Sequence, residues 1–464
     1  MKTNSSKLLT TVLVALTALT PAVFALTPAE AETRVKADDA TVTFLEYLCD
    51  DHGGRLSGSA ANEAAMADLE AELRALGLEP TRETFPMPGW VRQDDTLTML
   101  APVHREMRAL GLSYLEPSGP LNGPVVDLGA GSPEEFAKLE IPNGAIGLFG
   151  PSSRGRAGDV GARAIEHGMA GLMFINRVDG GQLLARTGGF HGEPLPLPIF
   201  SITQEEGFWM RRLIARGESV EVGMQTRSFN KPVEVDNLRV RIPGKSAETV
   251  LVGGHFDSWE KGQGAIDNGL GVAQLLALAR VLRDAELERT VELVWYNGEE
   301  QGLWGSRYAV EEGADAKNPP AVMINLDMVG VPIGVNAMGH EDLITLLDWW
   351  NESRGEGRLE QGVTNVPWMA SDHTPYQVNG VRVITFYAPI RQESVRYYHD
   401  FADTFDKLTP ELIKDSAGVV ASLVVELANA PDLPAGLVPD DEVEAMLREA
   451  KLEERLKGSG LWKF

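Results

Sequence analysis

The chain has 464 residues, with 42 Lys+Arg against 67 Asp+Glu and a formal net charge of −25. That length exceeds one compact core and predicts several domains, and an acidic balance without basic clusters excludes phosphate-rich nucleic acid as a partner. A single cysteine, Cys49, excludes an internal disulfide framework and a four-cysteine zinc site, and it reads as a small buried hydrophobe.

The N-terminus has a basic start (Lys2, Lys7) and an apolar run from Leu8 to Leu19, with small residues before candidate cleavage points after Ala25 and Ala31. This pattern predicts a signal peptide over 1–31, too short to remain as a membrane span. The mature protein is then expected to be secreted or periplasmic, without further membrane contact. Residues 32–112 are read as the first part of the main domain. Within them, 62–77 predicts a helix, and 80–112 short strands broken by Pro and Gly. Residues 113–232 are denser in Gly and Pro, and alternate strand-like Ala145–Phe149, helix-like Gly158–His167, strand-like Gly171–Asn176 and an amphipathic Glu205–Arg216. They predict an inserted small α/β module.

From 233 to 430 the pattern is strand–helix. Thr249–Gly254, Thr290–Tyr296, Ala321–Asp327 and Val381–Tyr387 read as buried strands, with helices over 272–282, Leu343–Glu352 and Thr409–Leu427. Residues 431–464 hold one helix pattern, Asp440–Leu456, and a tail. The fold class is therefore α/β, with a mixed, mainly parallel sheet covered by helices on both faces.

Ligands in such sheets gather at the C-terminal strand ends. There this sequence places His255 and Asp257, Asp267 in a Gly-rich loop, Glu299-Glu300, Asp327, and Tyr398-His399. Imidazoles and carboxylates of this number suit two zinc ions, with one carboxylate able to bridge. Of adjacent Glu299 and Glu300, one can hold metal while the other serves as base. Asp257, at His-x-Asp spacing, is expected to accept the second imidazole N–H.

The strings GGHFDSWEKGQGAIDNGLG (Gly253–Gly271), NGEEQGLWGS, NLDMVG and YYHDFADTFDKL, with HGGRLSGS (His52–Ser59), resemble the co-catalytic zinc exopeptidases. These include zinc aminopeptidases and glutamate carboxypeptidases, and the likeness is greatest to the carboxypeptidase Q branch. The resemblance implies an α/β/α sandwich with 113–232 as an inserted protease-associated (PA) domain. It implies two zinc ions, with Asp267 bridging, His255 and Glu300 on different ions, and Asp327 and His399 likewise. Glu299 becomes the general base, Tyr398 a support for the tetrahedral oxyanion, and Asp267-Asn268 a cis peptide. The implied activity is hydrolysis of short peptides or dipeptides, with a homodimer possible.

SDHTPY (Ser371–Tyr376) looks more like the aminopeptidase branch, so release of N-terminal residues is the alternative. Arg391 and Arg396 are candidates for a substrate carboxylate. An inactive receptor-like binding protein and a glutaminyl cyclase rank below, since no ligand or base is missing and a PA insertion does not suit the cyclase. His52, His104, His167, His191 and His340 lack ligand-spaced partners, His373 suggests a pocket role, and Ile344 breaks the H-E-x-x-H start at His340.

Overall fold

The computed structural model describes residues 26–151, 157–189, 192–390 and 392–464. The apolar run at 8–19, His191 and Arg391 lie outside the described residues.

Among the described residues, two eight-stranded sheets organise the fold. The first orders its strands as Thr81–Val91, Phe229–Ile242, Arg289–Tyr296, Ser246–His255, Val322–Asn325, Arg382–Tyr387, Gly334–Asn336 and Gly362–Thr364. The four central strands (289–296, 246–255, 322–325 and 382–387) run parallel, and the flanking pairs with 229–242 and 334–336 are antiparallel. Strand alternation sorts the core. Val250, Val252, Leu293 and Trp295 pack on one face against helices Leu270–Leu282 and Pro410–Asn429. Leu251, Val294 and Tyr296 pack on the other, with Ala309 and Tyr376. Both faces of the parallel strands are covered, which is why these segments read as continuous apolar runs.

The helices start where their caps say. Thr409 accepts from Leu412 N ahead of Pro410 at the first helical position, and Ser59 accepts from Asn62 N at the head of Ala60–Ala75. The stretch Ala265–Leu282 is long and apolar enough for a membrane by composition, but 89% of it is buried in the protein, so its hydrophobicity serves the core.

Strand Thr81–Val91 runs unbroken through Pro86 and Pro88, where interruptions were expected. It is an edge strand, so prolines without N–H donors cost it no ladder bond on the open side.

The second sheet orders Arg105–Glu106, Asp95–Ala101, Glu221–Thr226, Ser118–Asp127, Ile146–Phe149, Gly171–Ile175, Ile199–Ile202 and Ala109–Gly111. The inserted module thus occupies 95–226 rather than 113–232, because Asp95–Ala101 pairs antiparallel with Glu221–Thr226. The crossings are tied together. Asp95 Oδ1 accepts from Thr226 Oγ1 (2.7 Å) and Ser228 Oγ (2.9 Å), and Asp95 Oδ2 from Arg92 Nη1 (2.9 Å). Leu56, Trp90 and Trp259, all outside residues 95–226, enter one of the module's two apolar cores, so the module is packed against the main sheet.

The C-terminal helix expected over 440–456 is two helices, Asp440–Glu449 and Glu453–Lys457. Lys451 takes a left-handed φ of 59° between them, and Leu452 N closes the first helix on Leu447 O.

Candidate active site

Each expected ligand sits where a parallel strand or the loop after it ends. His255 closes its strand, Asp327 follows the strand ending at Asn325, and Glu299-Glu300 follow the strand ending at Tyr296. His399 lies on the loop after Arg382–Tyr387 and takes a left-handed φ of 56°. Asp267 sits in the loop after the Gly-rich turn, and the Asp267–Asn268 peptide is cis.

These side chains form two groups that share one residue. His255, Asp267 and Asp327 each offer a ligand atom within 4.8 Å of the others, and so do Asp267, Glu300 and His399. His255 Nε2 is 3.1 Å from Asp267 Oδ1 and 3.6 Å from Asp327 Oδ1. His399 Nε2 is 3.0 Å from Asp267 Oδ2 and 2.9 Å from Glu300 Oε2. The two oxygens of Asp267 therefore face different imidazoles. His255 Nε2 and Glu300 Oε1 are buried and make no hydrogen bond. Orphaned donor atoms, the oxygen/nitrogen set and one carboxylate facing both groups fit a pair of divalent cations.

The electrostatics point the same way. Burial disfavours the charged forms of His255 and His399, yet neighbouring carboxylates overcome it. Asp257, Asp267 and Asp327 draw His255 well above its ordinary value, and Glu300 with Asp267 pushes His399 up to about 10. Burial pushes Glu300 up to about 7, with Asp267 adding to it, and lifts Glu299 well above the usual carboxylate range with help from Asp327 and Glu300. Crowded acids in a site that pulls protons onto imidazoles will also attract cations.

Glu299 and Glu300 both line a cleft of about 1200 Å³. Tyr398 borders it too, stacked on His399 with centroids 3.6 Å apart. Tyr398 is 39% exposed as a whole, but its hydroxyl end is desolvated beside Asp267 and Glu300, which raises it well above its ordinary value and leaves it protonated and able to donate. The module supplies one wall through Tyr114, Arg177 and Arg186, and the C-terminal tail another through Arg455 and Ser459.

Asp257 differs from expectation. Its backbone carbonyl, 3.0 Å from His255 Nδ1, is what fixes the imidazole, while its carboxylate is 3.7 Å away. The carboxylate instead accepts from Glu299 N at 3.3 Å, so it positions the loop carrying that glutamate. Arg396 binds Asp179 (2.5 Å to the carboxylate) and is not among the cleft-lining residues.

The roles of several site-building residues escaped the sequence reading. Asn268 donates to His255 O (3.2 Å) and Leu326 O (2.8 Å) and accepts from Met328 N (3.1 Å), fixing two strand ends around the ligands. Gly271 lies so close that a Cβ there would come 2.5 Å from Asn268 Nδ2 and from Leu326 O, which accounts for the second glycine of Gly269-Leu270-Gly271. Asp403 accepts from Ile266 N (2.8 Å) and Asp267 N (3.1 Å). Asp372 is fully buried with no hydrogen-bond partner on either oxygen, and burial pushes it up to about 7, with Asp257 and Asp327 adding to the rise. The SDH motif marked its position but not its role.

His52 and His373 have structural roles. His52 contacts Asp68 at 2.8 Å, and His373 is buried against Trp368, 3.1 Å from that residue's carbonyl. Cys49 is buried and its thiol is pushed up to about 12 by burial. His340 is 4% exposed, its Nε2 unpartnered, and burial holds it down at about 4. The unfolded chain takes up this proton below about 6.5, whereas the folded chain waits until about 4. Stability is therefore lost as pH falls through that window, by about 3 kcal/mol at its acid end. His340→Gln should flatten the acid limb of unfolding midpoint against pH, and an unchanged limb would dismiss this assignment.

Residues 237–424 match the family model "Peptidase family M28". Over 446 residues the chain is 24% identical to aminopeptidase YwaD of Bacillus subtilis (strain 168), covering 91% of this chain and 92% of the relative. Over 434 residues it is 26% identical to carboxypeptidase Q of Bos taurus, covering 86% and 87%. A solved peptidase M28 precursor from Shewanella amazonensis SB2B superposes with a TM-score of 0.78 at 21% identity, over 89% of this chain and 98% of that one. A zinc aminopeptidase from Bacillus subtilis superposes at 0.68 with 20% identity, over 88% and 98%. Both structures share the fold.

Proposed function

We propose, for a chain whose residues 237–424 belong to Peptidase family M28, that it is an exported, zinc-dependent exopeptidase cutting short peptides or dipeptides. The observation that carries this reading is Asp267, whose two oxygens face His255 and His399 in separate acid–imidazole groups beside Glu299. His255 and Asp327 would hold one ion, Glu300 and His399 the other, with Asp267 between. Bound zinc supplies Lewis acidity, polarising a carbonyl and lowering the pKa of a water.

The chain's own residues do the rest. Glu299 faces the cleft and accepts the proton of the attacking water, then returns it to the leaving amine. Asp257 fixes the loop of the base through Glu299 N, and its carbonyl orients His255. Tyr398, kept protonated, donates to the developing oxyanion. Residues 95–226 fill the place of a PA domain and wall the cleft.

The end of the peptide that is trimmed has two readings. Carboxypeptidase Q-like action is supported by Arg177 and Arg186 on the cleft wall, cations suited to a free carboxylate. Aminopeptidase action is supported by the SDHTPY string and by the likeness to aminopeptidase YwaD. Mass spectrometry of a timed digest separates them. Loss of C-terminal residues, abolished by amidation, supports the first, and loss of N-terminal residues, abolished by acetylation, supports the second. Cuts only inside long peptides would refute an exopeptidase.

For export, the two candidate cleavage points differ structurally. Helix Pro28–Lys36 is capped by Thr27 with Glu30, and Leu26 and Ala31 are buried. A cut after Ala31 would remove its cap and first turn, whereas a cut after Ala25 leaves both. The exported protein is expected to begin at Leu26, and an N-terminus at Glu32 by intact-mass analysis would contradict that.

A further inference from the structure

We propose that the inserted module is a working part of one metal position: its segment Asp179–Ala185 positions His399 and thereby sets the affinity of the Asp267/Glu300/His399 group for its ion. The inference rests on the metal-dependent reading above and adds a role for the module beyond walling the cleft.

The argument starts at the ring nitrogen of His399 that faces away from the ligand cluster. Nδ1 lies 2.9 Å from the carbonyl oxygen of Ala185, a residue of the second sheet's module. A metal-binding imidazole needs such an acceptor. It fixes the tautomer, leaving Nε2 with its lone pair toward the ion, and it sets the plane of the ring. His255 finds its acceptor two residues away in its own loop, at Asp257 O. His399 finds its acceptor 214 residues away, in a loop of the inserted module between strands Gly171–Ile175 and Ile199–Ile202. The two metal positions are therefore built differently: one is complete within the main domain, and the other is completed by the module.

The contact is not isolated. Ala185 N donates back to His399 O at 3.0 Å, so the two residues are joined twice. Leu183 N donates to Asp400 Oδ2 at 2.7 Å, and Asp400 is 3% exposed. Arg396 reaches Asp179 through both the carboxylate and the carbonyl, at 2.5 and 2.9 Å. Ala185 itself is fully buried in the apolar cluster that also contains Trp259, so packing fixes where its carbonyl points. On the other side the left-handed backbone at His399 leaves the loop dependent on such outside partners. The clamp thus holds the ligand loop, and the module's own core holds the clamp.

The test is a zinc titration of the full mature chain against a chromophoric chelator, read as two stepwise affinities and not as activity. Asp400→Ala removes the acceptor of Leu183 N, and Asp179→Ala removes an exposed anchor of Arg396 with little risk to folding. Losing an outer partner of a metal-binding histidine typically weakens affinity about 10- to 100-fold. Asp400→Ala is expected to weaken one zinc step by about that factor while the other stays within about twofold. Asp179→Ala should weaken the same step by less, and Asp400→Asn, which keeps one acceptor oxygen, should recover part of the loss. If Asp400→Ala fails to fold, a selective loss in Asp179→Ala still supports the inference. Unchanged affinities in the folded variants, or equal weakening of both steps, would overturn it. A wild-type chain that binds no zinc would instead remove the functional reading itself, so the two failures are distinguishable.

Discussion

Glu299→Gln is expected to lower turnover by about 10²- to 10⁴-fold, the usual worth of a positioned general base. The amide keeps the size of the side chain and its place on the cleft but cannot accept the proton. Glu299 belongs to neither ligand group, so zinc content should stay at the wild-type value. The loss should fall on kcat more than on KM, because the proton moves in the transition state rather than on binding. A variant that keeps full turnover would remove Glu299 from the mechanism. A variant that loses metal in step with activity would reassign it as a ligand.

The second large effect is expected at Arg55, which is not among the cleft-lining residues. This side chain is fully buried and donates to four backbone carbonyls: Gly53 (3.0 Å), Phe256 (3.2 Å), Gln263 (2.7 Å) and Gly264 (3.1 Å). Three of these lie between His255 and Asp267, so Arg55 ties down the loop that joins them. Arg55→Met would strand buried carbonyls and open space that the longer guanidinium fills. The expected cost is about 3–5 kcal/mol, measured by denaturant unfolding followed by tryptophan fluorescence. Arg55→Lys keeps the charge without the planar fork and should fall between. Wild-type stability in Arg55→Met would show that these carbonyl bonds contribute little.

Arg55 also marks the boundary of what the sequence makes legible. Its string HGGRLSGS could be noticed, but not the 208 residues of separation across which Arg55 reaches Gln263 O. The ligands themselves were readable because parallel strands are apolar on both faces, so a His, Asp or Glu at a strand end stands out against its background. Side chains that act on backbone carbonyls leave no such contrast. Asn268 and Asp403 are ordinary polar residues until the fold brings strand ends or loop amides to them. Asp257 shows the converse: its side chain suggested a partner for His255, but its carbonyl plays that part.

The module was readable as a change of texture, and its edges were not. Asp95–Ala101 carries no compositional mark that separates it from Thr81–Val91, and only pairing with Glu221–Thr226 assigns it to the second sheet. The break at Lys451 is similar, since a left-handed lysine replaces the glycine that normally signals a helix end.

The most direct test of the metal account is elemental analysis of the purified, active protein after dialysis against metal-free buffer and reloading with zinc. Two zinc ions per chain are expected, with Asp267→Ala losing both because it faces both groups. One ion or none in the fully active wild-type chain would contradict a paired site.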